Sequence, residues 1–83
     1  MKLLYFAWLR ARIGIAEEDA PLPAEVDDVA GLLAWLRRRG PGYAEALKDP
    51  RTVRVAVNHD YVGLDHPLRD GDEVALFPPV TGG

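Results

Sequence analysis

Four apolar residues, Val29, Leu32, Leu33 and Leu36, fall at i, i+3, i+4 and i+7, which gathers them on one stripe of an α-helix. Asp27 or Asp28 stands where a side chain can cap the free N–H groups at the helix start. Arg37, Arg38 and Arg39 occupy the last turn, where cations complement the helix dipole, and Gly40-Pro41 stops it. A helix with one apolar stripe must bury it on something. In a chain of 83 residues there is room for one domain only, so the rest of the chain has to supply the sheet.

The remaining segments read as strands. Lys2 to Trp8 is a run of aliphatic and aromatic residues and is predicted as the first strand; Trp8 to Ile13 has room for a brief helical turn, with Gly14 as its left-handed terminator. Ile15 to Ala20 is a second strand, ended by Pro21-Leu22-Pro23. After the helix, Tyr43 to Leu47 suggests a short turn. From Thr52 to Asn58 the period is two, with Val53, Val55 and Val57 on one face and Arg54 and Asn58 on the other. Asn58-His59-Asp60 is a turn, Tyr61-Val62 a short strand, Asp70-Gly71 another turn, and Glu73 to Phe77 a last strand halted by Pro78-Pro79. The order β-β-α-β-(β)-β predicts an α+β fold, a β-grasp (ubiquitin-like) roll with a mixed sheet of four to five strands crossed by one main helix. Residues 1–79 form the domain, and 80–83 are expected to be a flexible tail.

Thirteen Asp+Glu against ten Lys+Arg give a net charge of −3, which argues against an electrostatic nucleic-acid binder. The absence of cysteine excludes a disulfide framework, a thiolate nucleophile and Cys-based metal sites, and fits a cytoplasmic location. The apolar run Leu3 to Leu9 is far short of the ~20 residues of a membrane span, and Arg10 and Arg12 cut it before any signal-peptide pattern develops.

No catalytic constellation emerges. His59 beside Asp60 and His66 beside Asp65 are the only histidines; a metal or acid/base pair is one reading, turn residues the favoured one. Asp70, Asp72 and Glu73 lack the ligand spacing of a calcium loop and read as a solvated turn. The arginine run is explained by its place at a helix end. Phosphate-cradling and nucleophile-elbow motifs are absent. By itself the domain is not expected to be an enzyme, to hold a metal or to bind a cofactor.

The end of the chain is different. Behind the rigid Pro78-Pro79 come only Val80, Thr81, Gly82 and Gly83. A terminal carboxylate on glycine is the least hindered acyl group a protein can offer, and glycine lets a tail thread a narrow tunnel. Four extended residues reach roughly 13 Å, enough to carry Gly83 deep into another protein while the body docks outside. One helix covers one face of the sheet, yet Phe6, Tyr61 and Phe77 add large apolar area; in the last strand Val74 and Leu76 share a face and leave Phe77 on the other. An exposed aromatic patch of this kind is usually a partner surface, the alternative being that all three are core. Parity does not fix which first-strand residues face out.

Asp65-His66-Pro67-Leu68, Asp70-Gly71-Asp72-Glu73-Val74 and Phe77-Pro78-Pro79-Val80-Thr81-Gly82-Gly83 together resemble the sulfur-carrier small subunits of molybdopterin synthase. Leu4-Tyr5-Phe6-Ala7, followed by Arg10 or Arg12 and Gly14, is similar to that family's first strand and loop. The resemblance implies that a ubiquitin-activating-like enzyme, using ATP and Mg²⁺, adenylates the Gly83 carboxylate, and that a sulfur-donating enzyme converts it to a thiocarboxylate. Gly82 and the tail then thread the large subunit of a heterotetrameric synthase, where sulfur passes to cyclic pyranopterin monophosphate. It also places partner contacts at Phe6, Tyr61 and Phe77, with Pro78, Pro79, Val80 and Thr81 leading into the tunnel. Alternatives are a sulfur carrier for thiamine, cysteine or tRNA thiolation, a ubiquitin-like modifier joined to lysines, and an autonomous metal-dependent enzyme using His59 and His66.

Overall fold

A computed structural model describes residues 1–79. Nine elements follow one another: strand β1 (Lys2–Tyr5), helix α1 (Ala7–Ile13), strand β2 (Glu17–Asp19), helix α2 (Val29–Arg37), helix α3 (Pro41–Ala46), a 3₁₀ turn (Pro50–Thr52), and strands β3 (Arg54–Val57), β4 (Asp60–Val62) and β5 (Glu73–Phe77). The strands form one mixed sheet in the order β2-β1-β5-β3-β4. β1 and β5 run parallel at its centre, and every other neighbour is antiparallel. This is the β-grasp architecture expected from the order of elements.

The alternation of each strand decides which face the helices cover. Leu3 and Tyr5 of β1, Val55 and Val57 of β3, and Val74 and Leu76 of β5 are buried and share one cluster with Val29, Leu32, Leu33 and Leu36 of α2. Asp28 caps α2 as expected, its carboxylate accepting from the Gly31 N–H at 2.8 Å. The hairpin β3–β4 turns on Asn58 and His59, both left-handed with φ of 50° and 74°, the pair of conformations that a two-residue hairpin turn requires. Asn58 is locked there: its side-chain amide donates to Asp72 and its side-chain oxygen accepts from the Glu73 N–H, both at 3.0 Å. Asp72 and Asp70 thus serve the fold, Asp70 lying 3.6 Å from the amino terminus.

Two sequence expectations need correction. The first strand stops at Tyr5, three residues before Trp8, because Ala7 takes φ 55° and swings the chain into α1. Leu9 and Ile13, one helical repeat apart, then face the core, Leu9 fully buried; a short apolar run does not distinguish strand from helix by its period. Gly14 closes α1 at φ 98° as expected. The arginine run is not a uniform helix-end feature either. α2 ends at Arg37, and Arg39 lies beyond it with a partner of its own, described below.

Candidate docking face and carboxyl-terminal exit

With the helices gathered on one side, the other side of the sheet is bare among the described residues. Register assigns its residues in rows. Tyr61, Ala56, Ala75 and Leu4 follow one another across β4, β3, β5 and β1. One row towards the end of β5, Arg54 stands opposite Phe77. Phe6 extends this row: its N–H donates to the Leu76 carbonyl at 3.1 Å, which carries the β1–β5 ladder one step past β1. All three aromatic residues named from the sequence are therefore on the bare face. Tyr61 is 81% and Phe6 48% exposed, and Phe77 is half-buried. The rings of Tyr61 and Phe77 lie 5.5 Å apart, tilted by 43°. The first-strand ambiguity is thereby resolved, with Leu3 and Tyr5 inward and Leu4 and Phe6 outward.

A cleft of about 380 Å³ opens beside the ring pair, lined by Arg54, Val55, Tyr61, Val62, Gly63 and Phe77. The period of two puts Arg54 on the outer side of β3 without giving it a task. Its signal was present: a charged residue facing away from three valines, in a strand that pairs with the one bearing Phe77.

Phe77 leads directly into Pro78 and Pro79, both half-buried, at the end of a central strand. Val80, Thr81, Gly82 and Gly83 lie outside the described residues. Phe6 and Arg54 stand in the same row of the sheet as Phe77, the last residue of β5.

On the helical side stands a polar cluster that no sequence motif announces. The Glu18 carboxylate accepts hydrogen bonds from the hydroxyls of Tyr5 at 2.7 Å and Tyr43 at 2.6 Å, and from the Arg39 guanidinium at 2.7 Å. Arg39 in turn lies 5.0 Å from the ring centres of both Trp35 and Tyr43. Burial alone would raise the Glu18 carboxyl, but the donors Tyr43, Tyr5 and Arg39 outweigh it and hold it below the ordinary carboxylate value. Burial, reinforced by the bond to Glu18, pushes both tyrosine hydroxyls up. The cluster joins β1, β2, α3 and the segment after α2, and it lies away from the bare face.

The two histidines stay apart in role. His59 Nε2 lies 2.8 Å from Glu73 at the hairpin turn. His66 is held through its backbone, its carbonyl accepting from the Val29 N–H at 3.1 Å. Among the described residues no three His, Asp or Glu side chains gather as a metal site, and no helix is long and apolar enough to cross a membrane.

Comparison with known proteins gives a consistent picture. The ThiS family matches residues 3–83. The molybdopterin synthase sulfur carrier subunit of Escherichia coli (strain K12) is 41% identical over 83 residues, spanning 100% of this chain and 99% of that one. Among solved structures, SAMP1 from Haloferax volcanii superposes with a TM-score of 0.72 at 27% identity, covering 100% of this chain and 98% of that one. A complex of subunits 1 and 2 of the molybdopterin-converting factor from Helicobacter pylori 26695 contains a chain that superposes at 0.64 with 28% identity, covering 99% and 96%.

Proposed function

The chain belongs to the ThiS family, and from that premise we propose that it is the sulfur carrier subunit of molybdopterin synthase. The observation that carries this reading is the end-to-end match, at 41% identity, to a relative of that name. The Gly83 carboxylate is the working group. A carboxylate is a poor acyl donor; adenylation by a ubiquitin-activating-like enzyme with Mg-ATP gives it a good leaving group. A sulfur-donating enzyme then converts the acyl-adenylate to a thiocarboxylate, which holds sulfide at one defined position. Gly82 and Gly83 thread the large subunit behind Pro78, Pro79, Val80 and Thr81, and the sulfur passes to cyclic pyranopterin monophosphate. The body docks through its bare sheet face, in the cytoplasm. The groups that activate the substrate belong to the large subunit; the complex from Helicobacter pylori supports a partner of that kind.

The test is direct. Incubated with the activating enzyme, Mg-ATP and a sulfur source, the protein should exchange one carboxylate oxygen for sulfur, read by intact mass. The charged form should then support molybdopterin formation with the large subunit and pyranopterin substrate. A chain that never acquires sulfur overturns the reading.

A second reading shares the same activation and parts from the first only at the acceptor. The likeness to SAMP1, a small archaeal modifier protein by name, favours a modifier whose activated Gly83 is joined to lysine amines. Denaturing gels and peptide masses from cells expressing the protein decide between them: isopeptide conjugates of Gly83 support the modifier, and their absence alongside thiocarboxylate leaves the carrier.

A further inference from the structure

Arg54 stands on the bare face of the sheet without a carboxylate to answer it. Lys2, Arg12, Arg39, Lys48 and Arg51 each have an acidic partner. Arg54, like Arg10, Arg37, Arg38 and Arg69, enters no ion pair among the described residues, and it alone of these five lines the cleft beside Tyr61 and Phe77. The acidic groups of its own face are spent or distant. Glu73 lies four residues back along β5 from Phe77, about 13 Å, and is engaged with His59. Glu17, on the far edge strand, is paired with Lys2 at 3.3 Å. Asp60 is the register partner of inward-facing Val57 and so belongs to the other face, at the opposite end of the β3–β4 hairpin. Asp65 has a carboxylate oxygen 3.2 Å from where a side chain on Gly63, a lining residue of the cleft, would begin, and it makes no ion pair with Arg54.

The surroundings of this charge define what it fits. The paired rings of Tyr61 and Phe77 line the cleft together with Val55, Val62 and the side-chain-free Gly63. A guanidinium presents a planar fork that a carboxylate accepts with two hydrogen bonds. The position matters as much as the chemistry. Arg54 is the register partner of Phe77, the last strand residue before Pro78 and Pro79, so its exposed charge stands at the rim of the place where the chain leaves the sheet.

We propose that this cleft is a specificity pocket. It takes from the large subunit a segment that carries an apolar side chain with a carboxylate beside it, the Tyr61–Phe77 pair holding the first and Arg54 the second. This rests on the sulfur-carrier reading and its docking face, and the two fail separately in the following experiment.

Association of the full-length chain with its large subunit is followed by stopped-flow fluorescence at low salt and at about 0.5 M NaCl, where exposed charges are screened beyond roughly 4–5 Å. Arg54→Glu should slow association at least tenfold at low salt, and Arg54→Gln by less, with both differences shrinking at high salt, as a rim charge acts mainly on the on-rate. Tyr61→Ala should weaken binding equally at both salts. One Asp or Glu of the large subunit, changed to Lys, should restore fast binding to the Arg54→Glu chain. Thermal melts of all three variants should match wild type, since Arg54 and Tyr61 are exposed. If Arg54→Glu binds like wild type, or loses binding equally at both salts, while Tyr61→Ala binds weakly, the pocket is refuted and the docking face stands. If neither change matters, the docking face falls with it. A salt-sensitive dimer of the chain, abolished by Arg54→Glu, would assign the cleft to a second copy and overturn the proposal.

Discussion

The rings of Tyr61 and Phe77 meet at 5.5 Å although their strands are not neighbours. β3 runs between them, and two strand spacings amount to about 9.5 Å. The residue beneath is Ala56, which is only 7% exposed on a face that no helix covers. A small side chain on the middle strand lets the rings lean together and roof it, so the pair forms a raised apolar anchor instead of two separate side chains.

The first prediction concerns that anchor. Phe77→Arg should weaken binding to the large subunit by ~2 kcal/mol or more, about thirtyfold, the usual cost of losing an aromatic from the centre of an interface. Phe77 lies outside the core cluster, so the variant should stay folded. Calorimetry gives the affinity and a thermal melt the fold; unfolding without a specific loss of affinity would mean that the ring supports the core.

The Glu18 cluster sets a pH window. The folded carboxyl titrates below its ordinary value of 4.5, so its contribution to stability is complete above that value and is lost as pH falls through the lower folded one. The tyrosine hydroxyls titrate above their ordinary 10.0, so the unfolded chain ionises first and stability declines above that point. Glu18→Gln should cost roughly 1.5–3 kcal/mol at neutral pH, the scale for hydrogen bonds to a charged group. It should also flatten the acid limb of a urea-midpoint profile. Parallel profiles for wild type and variant would show that other groups govern acid stability.

Gly42 makes a sharper structural test. A Cβ there would stand 2.5 Å from the Arg12 carbonyl oxygen, because α3 crosses the end of α1 at this point. Gly to Ala inside an exposed helix gains about 1 kcal/mol. Here the sign should reverse, with a loss of roughly 1–3 kcal/mol from overpacking against backbone and a melting point lower by several degrees. A variant more stable than wild type would mean that α1 and α3 separate freely.

What the sequence revealed and what it hid divide along physical lines. The α2 stripe, the valine alternation of β3 and the parity of β5 are local periodicities, and each element appeared there. β3 is nevertheless shorter than the Thr52 to Asn58 expected, because Thr52 belongs to the 3₁₀ turn and Asn58 to the hairpin turn. The placement of Phe77 on the bare face followed from the parity of β5, whereas the side of Tyr61 is given by its pairing with Ala56. The contacts that depend on distant residues meeting were not legible. Glu18 and Arg39 are 21 residues apart, and nothing in either segment announces the other; Arg39 read as a helix-dipole charge because its neighbours are one. Arg12 and Gly42 likewise meet only because α3 folds back on α1. Phe6 was ambiguous because the strand it follows is short, and only pairing with β5 fixes its side.

The last prediction returns to the chain end. Deleting Gly83 draws the reacting carbon back by roughly 3.3 Å, and displacement by about 1 Å can cost on the order of a hundredfold in rate. The shortened chain should therefore fail to deliver sulfur. Gly82→Val should fail for another reason, since a β-branched side chain stiffens the backbone and widens a segment that has to pass through a tunnel. Neither change touches the core, whose members all lie between Met1 and Leu76, so both variants should melt like wild type. Docking through Tyr61 and Phe77 should persist as well, and each variant should compete with wild type for the large subunit. The measurements are intact mass for sulfur loading, a melt for stability and a competition assay for binding. A Gly83 deletion that transfers sulfur at the wild-type rate would remove the chain end from the mechanism and with it the carrier reading.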